Sequence, residues 1–181
     1  MPASPSDSRI FAPLFNSSAI AEIFSDEQFV RCLLEVEGSL ARVQGQLGVI
    51  PAGAAEQIAS QAGRLSVDFD RLRSGTEQAG FPVIELVRQL RAHVGNDTAD
   101  YVHWGATTQD VMDTALVLQI RAAISILEPG LKTLIQSLAR LADQHRHTLM
   151  AGRTHSQQAL PIPFGLKVAE WLAPLIRHCE R

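Results

Sequence analysis

Three observations predict an all-α fold for this chain. Hydrophobic residues make up 46% of it and charged residues 19%, a balance suited to helices that bury more than one face, and the Leu, Ala and Ile content favours helix. Apolar residues recur at alternating spacings of three and four, the repeat of a helix surface. No segment has the sustained one-in-two alternation of a half-buried strand. At 181 residues there is chain enough for one domain with its own core, or for one domain plus part of another.

Residues 1–10 are rich in Pro and Ser and offer nothing to bury, which predicts a loose arm. Ser25 with Gln28 three residues on has the spacing of a capping box, and Phe29, Leu33, Val36, Leu40, Val43 and Leu47 follow at helical intervals, so a helix is expected over about 26–47. Gly48 closes it as a left-handed cap, and Pro51 opens an Ala-rich helix running to about Gln61. A short helical turn is expected around Asp68 to Arg73. After Pro82, the stripe Val83, Val87, Leu90 and Val94 marks a helix that ends at the turn Gly95 to Asp97.

From Asp110 the pattern lengthens: Val117, Ile120, Ile124, Leu127, Leu131, Leu134, Leu138 and Leu141 form a heptad seam. Leu116, Ala123, Ile126 and Ile135 widen that seam beyond what one partner helix covers, which implies a bundle, and Pro129 is expected to kink the helix without ending it. The segment MAGRTHSQQALPIP, with Gly152, Pro161 and Pro163, reads as a turn or loop. Phe164, Val168, Trp171, Leu172, Leu175 and Cys179 then stripe a last helix whose pattern is still running at Arg181. The expected division is an N-terminal helical domain over 1–110 and the start of a bundle over 111–181. Two long helices cannot cover so wide a stripe, so self-association or further chain is expected to cover it.

A net charge of −3 with scattered basic residues argues against a nucleic-acid or anionic-membrane partner. Cys32 and Cys179 lack the spacing of a zinc site or a disulfide framework, which fits a reducing cytoplasm, and no metal is expected. Neither a signal segment nor an apolar run of spanning length is visible.

Two polar clusters stand out from the helical background. HWGATTQD, at 103–110, gathers hydrogen-bonding side chains at the mouth of the long helix, where free N–H groups and the macrodipole favour an anion. Thr107, Thr108 and Gln109 add donors suited to a carboxylate. On spacing alone the same residues also read as an ordinary cap, with Thr108 the N-cap, His103 a satisfied surface histidine and Trp104 a core plug. The second cluster, RTHSQQALP at 153–161, offers a guanidinium, a hydroxyl, an imidazole and two amides. It too has a plain reading, as a polar connecting loop.

Taken together, HWGATTQDVMDTALVLQIR and GRTHSQQALPIPFGLKVAEW, the latter containing the pattern THxQxAxP, resemble two signature regions of the fumarase/aspartase superfamily. Within it the resemblance is strongest to the bacterial 3-carboxy-cis,cis-muconate cycloisomerases of protocatechuate degradation, from about Leu14 to Arg181. Adenylosuccinate lyase is the nearest rival; its RYxR-like and HDV-type segments are not found, and PVIELVRQL occupies the latter's place.

The resemblance implies a cytoplasmic homotetramer with a helical-bundle core, a small tricarboxylate substrate and no cofactor. It implies His155 as the acid/base or orienting histidine. Thr107, Thr108, Thr154 and Gln157 would bind substrate, with His103 as a further contact and Arg153 either pairing with a carboxylate or bracing its loop. The third signature, a GSSxMPxKxN loop, is not in the sequence, so the chain is expected to be a fragment that is inactive alone. A non-catalytic helical assembly module is the alternative of a different class.

Overall fold

The computed structural model describes residues 4–8 and 10–181. A 3-10 turn at Pro5–Asp7 precedes nine helices among the described residues: α1 (Ala12–Phe15), α2 (Ser18–Ile23), α3 (Asp26–Gln46), α4 (Ala52–Ala62), α5 (Phe69–Ala79), α6 (Val83–Val94), α7 (Asn96–Ala99), α8 (Thr108–Gln144) and α9 (Phe164–Glu180). Strands β1 (Leu149–Thr154) and β2 (Gln157–Pro163) pair as an antiparallel hairpin between α8 and α9. The all-α class holds, with this hairpin as its one addition among the described residues. The chain forms two units, 1–122 and 123–181, divided inside α8 rather than at the expected 110/111.

In the first unit α3 starts as its sequence dictates, the Ser25 hydroxyl accepting from the Gln28 N–H at 3.2 Å. It ends in a Schellman arrangement: Val49 N–H donates to the Gln44 carbonyl and Gly48 N–H to Gly45, with Gly48 at φ 69°. Helices α3 and α4 pack through small residues. A Cβ on Gly38 would lie 3.4 Å from the Ala62 methyl, and one on Gly45 would overlap the Ala55 methyl. Leu33, Ile58 and Leu90 are fully buried in the resulting core, each burial favouring the fold by about 1.5–3 kcal/mol. Val111 and Ala115, in the first turns of α8, belong to the same core. Their burial explains why the first unit extends past residue 110.

One expectation fell short in this unit. The turn anticipated at Asp68–Arg73 is the eleven-residue helix α5, capped by the Asp68 side chain on the Arg71 N–H and closed by left-handed Gly80. Its one buried residue, Leu72, left little stripe to detect. The loose arm expected over 1–10 lies partly outside the described residues; within them Pro5–Asp7 turns, and Asn16 Nδ2 donates to the Ser6 carbonyl at 3.1 Å.

In the second unit α8 continues through Pro129 to Gln144, as the heptad pattern requires. The hairpin corrects the turn or loop expected over 150–163. Its base is clasped by Phe164 N–H to the Thr148 carbonyl at 2.7 Å and Gly165 N–H to the His145 carbonyl at 3.0 Å. At Gly165 a Cβ would strike the Ala142 carbonyl and the Arg146 backbone, so only glycine permits the approach. Leu127, Leu134, Leu160 and Trp171 are exposed. No helix is long and apolar enough to cross a membrane among the residues described.

Candidate active site

The segment 100–107 is fastened to the first unit at four points. Val102 is fully buried, and its carbonyl accepts from Arg91 Nη2 at 3.2 Å. Gln44 Nε2, near the end of α3, donates to the Trp104 carbonyl at 2.7 Å. Between those two clamped carbonyls stands His103, whose Nδ1 lies 2.5 Å from Oε1 of Glu37. His103 has φ 61° and Gly105 φ 67°, both in the left-handed region. For a side-chain-bearing residue that costs on the order of 1 kcal/mol, tolerated where surroundings over-determine the conformation.

At the mouth of α8 the cap is Thr107, not Thr108. Thr107 N–H and Oγ1–H both donate to Asp110 Oδ2 at 2.8 Å, and the Asp110 N–H returns to Thr107 Oγ1 at 3.4 Å. This reciprocal Thr-x-x-Asp pairing is a capping box with aspartate in place of glutamate. The backbone N–H of Thr107 and then its hydroxyl hold the Asp110 carboxyl below the ordinary aspartate value. Among the described residues, Thr108 and Gln109 keep their backbone N–H groups unpaired at the positive end of the helix. Trp104 is no core plug: it is about half exposed and rests against the Tyr101 ring at 5.9 Å between centroids.

The second cluster forms the tip of the hairpin. Thr154 pairs with Gln157, leaving His155 and Ser156 as a two-residue turn in which Ser156 takes φ 59°. The register shifts between Ala151 and Arg153, and at Gly152 a Cβ would come within 2.5 Å of the Leu160 carbonyl. Such an irregularity re-aims the following side chains. Arg153, Thr154, His155 and Gln157 are all exposed. Among the described residues none of these four side chains makes a hydrogen bond or ion pair.

Thus the structure gathers His103, Thr107 and Thr108 in the first unit and Arg153, Thr154, His155 and Gln157 in the second. Sequence reasoning missed Glu37, whose side chain is 1% exposed. The available signal was a glutamate four residues after Leu33 and four before Ala41, inside the buried stripe of α3. Among the described residues no group of three or more His, Cys, Asp or Glu side chains is placed to hold a metal ion.

Comparison with known proteins adds relatives that carry both clusters' regions. The chain is 42% identical over 168 residues to trans-aconitate decarboxylase 1 of Mycosarcoma maydis, covering 93% of this chain and 34% of that one. It is also 42% identical over 179 residues to the 3-carboxy-cis,cis-muconate cycloisomerase of Acinetobacter baylyi, covering 96% and 40%. The crystal structure of beta-carboxy-cis,cis-muconate cycloisomerase from Acinetobacter calcoaceticus superposes with a TM-score of 0.87 at 41% identity, over 95% of this chain and 41% of that one. The chain therefore spans between about a third and two fifths of the length of these relatives. The lyase family model matches residues 15–181, and the chain belongs to that family, within the fumarase/aspartase superfamily.

Proposed function

We propose that this protein is a 3-carboxy-cis,cis-muconate cycloisomerase, closing a lactone by intramolecular addition of a carboxylate to a carbon–carbon double bond. The observation that carries this reading is the hairpin tip. It presents a guanidinium, two hydrogen-bonding side chains and an imidazole, all exposed and unengaged among the described residues, beside a strained turn residue. Those groups suit a compact polycarboxylate. The 42% identity to the Acinetobacter baylyi cycloisomerase across nearly the whole chain supports the choice of reaction.

In this reaction a carboxylate oxygen forms a bond to one alkene carbon. The π pair moves to the neighbouring carbon and spreads into the carboxylate attached there, and a proton is then delivered to that carbon. Charge develops on the carboxylate in the transition state, so donors aimed at it accelerate the step as well as bind the substrate. In the proposed site Thr108, with Thr107 behind it, meets one carboxylate at the mouth of α8. Thr154, Gln157 and Arg153 meet the others, His103 contributes from the first cluster, and His155 is the acid/base or orienting group.

We further propose that the active form is a homotetramer in which different subunits supply the signature regions. The exposed apolar faces of α8 and α9 support this. The reading places the protein in the cytoplasm. A second reading, decarboxylation of an unsaturated tricarboxylate, draws on the equal identity to trans-aconitate decarboxylase 1.

The test follows the natural protein with 3-carboxy-cis,cis-muconate, recording loss of diene absorbance and lactone by mass. Parallel reactions with adenylosuccinate and trans-aconitate are scored for fumarate and carbon dioxide. Lactone formation that His155→Ala lowers by about 10²-fold or more supports the reading. Fumarate or carbon dioxide as the sole product refutes it.

A further inference from the structure

We propose that Glu37 is a positioning residue for His103: its carboxylate holds Nδ1 as a proton donor and so leaves Nε2 as the ring atom offered to substrate. The proposal rests on residues 103–110 being part of an active site. Glu37 projects from α3 into the core of the first unit, its side chain 1% exposed, and its Oε1 lies 2.5 Å from Nδ1 of His103, whose side chain is 18% exposed. The other carboxylate oxygen, Oε2, is buried with no hydrogen-bond partner among the described residues.

A carboxylate buried this way is expensive unless it is paired, and one with an unsatisfied oxygen is a poor stability device. An apolar residue would fill that position of the α3 stripe at less cost. What the glutamate supplies is direction. When one imidazole nitrogen is held by a carboxylate, the tautomer and the ring plane are fixed together.

The surrounding geometry serves the same end. Arg91 and Gln44 fasten the carbonyls of Val102 and Trp104 on either side, and the backbone of His103 is held at φ 61° between them. Nε2 has no hydrogen-bond partner among the described residues. Asp110, in the first turn of α8, is a second acidic group in electrostatic range of the ring. It is committed to Thr107, whereas Glu37 meets the ring nitrogen directly.

The test is nitrogen-15 NMR of the histidine rings in the intact protein, with His103 assigned by His103→Asn. In its neutral form the wild-type ring is expected to carry its proton on Nδ1 and to show a bare Nε2. In Glu37→Gln the Nε2–H form of free imidazole is expected to emerge, and in Glu37→Asp the wild-type tautomer is partly restored. A wild-type ring with a bare Nδ1 overturns the proposal without any variant, so misfolding of Glu37→Gln cannot shelter it. In whichever turnover assay above registers product, Glu37→Gln is expected to lower kcat about tenfold or more with KM nearly unchanged. An unchanged kcat overturns the positioning role. If none of those substrates turns over, the active-site reading fails while the NMR still decides whether Glu37 holds the ring.

Discussion

Gly45 is where α3, which carries both Glu37 and Gln44, is seated against α4, and a methyl exchange across that contact tests the seat. A Cβ built on Gly45 overlaps the Ala55 Cβ, and neither atom has a rotamer through which to escape. The steric penalty of Gly45→Ala therefore belongs near the top of the overpacking range, about 3 kcal/mol. Replacing this glycine, in the last turn of α3, with alanine returns at most about 1 kcal/mol, for a net loss of about 2 kcal/mol or more. Ala55→Gly removes a buried methyl, about 0.8 kcal/mol, and adds a helical glycine, about 1 kcal/mol, again close to 2 kcal/mol in all. Independent effects would put the double variant about 4 kcal/mol below the parent. If the two methyls compete for one space, the exchange restores both packing and summed propensity, and the double variant returns to within about 1 kcal/mol of the parent. Urea unfolding followed by far-ultraviolet circular dichroism measures all four proteins. A double variant as unstable as the sum of its parts would refute close α3–α4 packing through this pair.

Three further outcomes are expected. The Asp110 carboxyl is held below its ordinary 3.8 by the Thr107 N–H and hydroxyl; its folded value is depressed, so its contribution to stability is complete above the unfolded value and is lost as pH falls through the folded one. Asp110→Asn should flatten that part of the acid limb, and urea midpoints between about pH 6 and about pH 3 would show a parallel limb in both proteins if the reasoning were wrong. Gly152→Val drives its side chain at the Leu160 carbonyl, so hydrogen-exchange protection across β1 and β2 should fall while α3 and α6 keep theirs; retained hairpin protection would contradict the close approach. Ser156→Gly should be neutral or stabilising because the turn residue already sits at φ 59°, whereas Ser156→Val should lower the melting temperature, and equal melting of the two would show the left-handed turn is not obligatory.

The elements legible in the sequence were those whose signals agree at every level. In α3 the Ser25 cap, the three-four stripe and the Gly48 closure all point to one helix. The hairpin was invisible for the opposite reason. Alternation arises when one face of a strand is buried; five of the seven residues of β2 are exposed and none is buried, so no face imposes a period of two. Helix α5 was read short because a single buried leucine makes no stripe. The polar content of both clusters was legible, but their local geometry was not. That Thr107 rather than Thr108 caps α8 depends on where the chain leaves the turn at Gly105. That Glu37 reaches His103 depends on α3 passing beneath a loop 66 residues away.

The capping pattern also bears on how the mouth of α8 divides its labour in the proposed site. Thr107 directs both its donors at Asp110, an internal carboxylate that already occupies the place an incoming one would take. Under that proposal a substrate carboxylate drawn by the helix end would meet instead the next two N–H groups, those of Thr108 and Gln109, together with the Thr108 hydroxyl. Asp110 is no rival there. Held in its charged form by Thr107, it fixes the first turn so that the free N–H groups stay aimed outward without needing the substrate to order them. Preorganisation of that kind is what lets donors stabilise developing charge rather than merely bind it. It follows that loss of Thr107 should loosen the turn and register first in stability, while loss of Thr108 should register first in turnover.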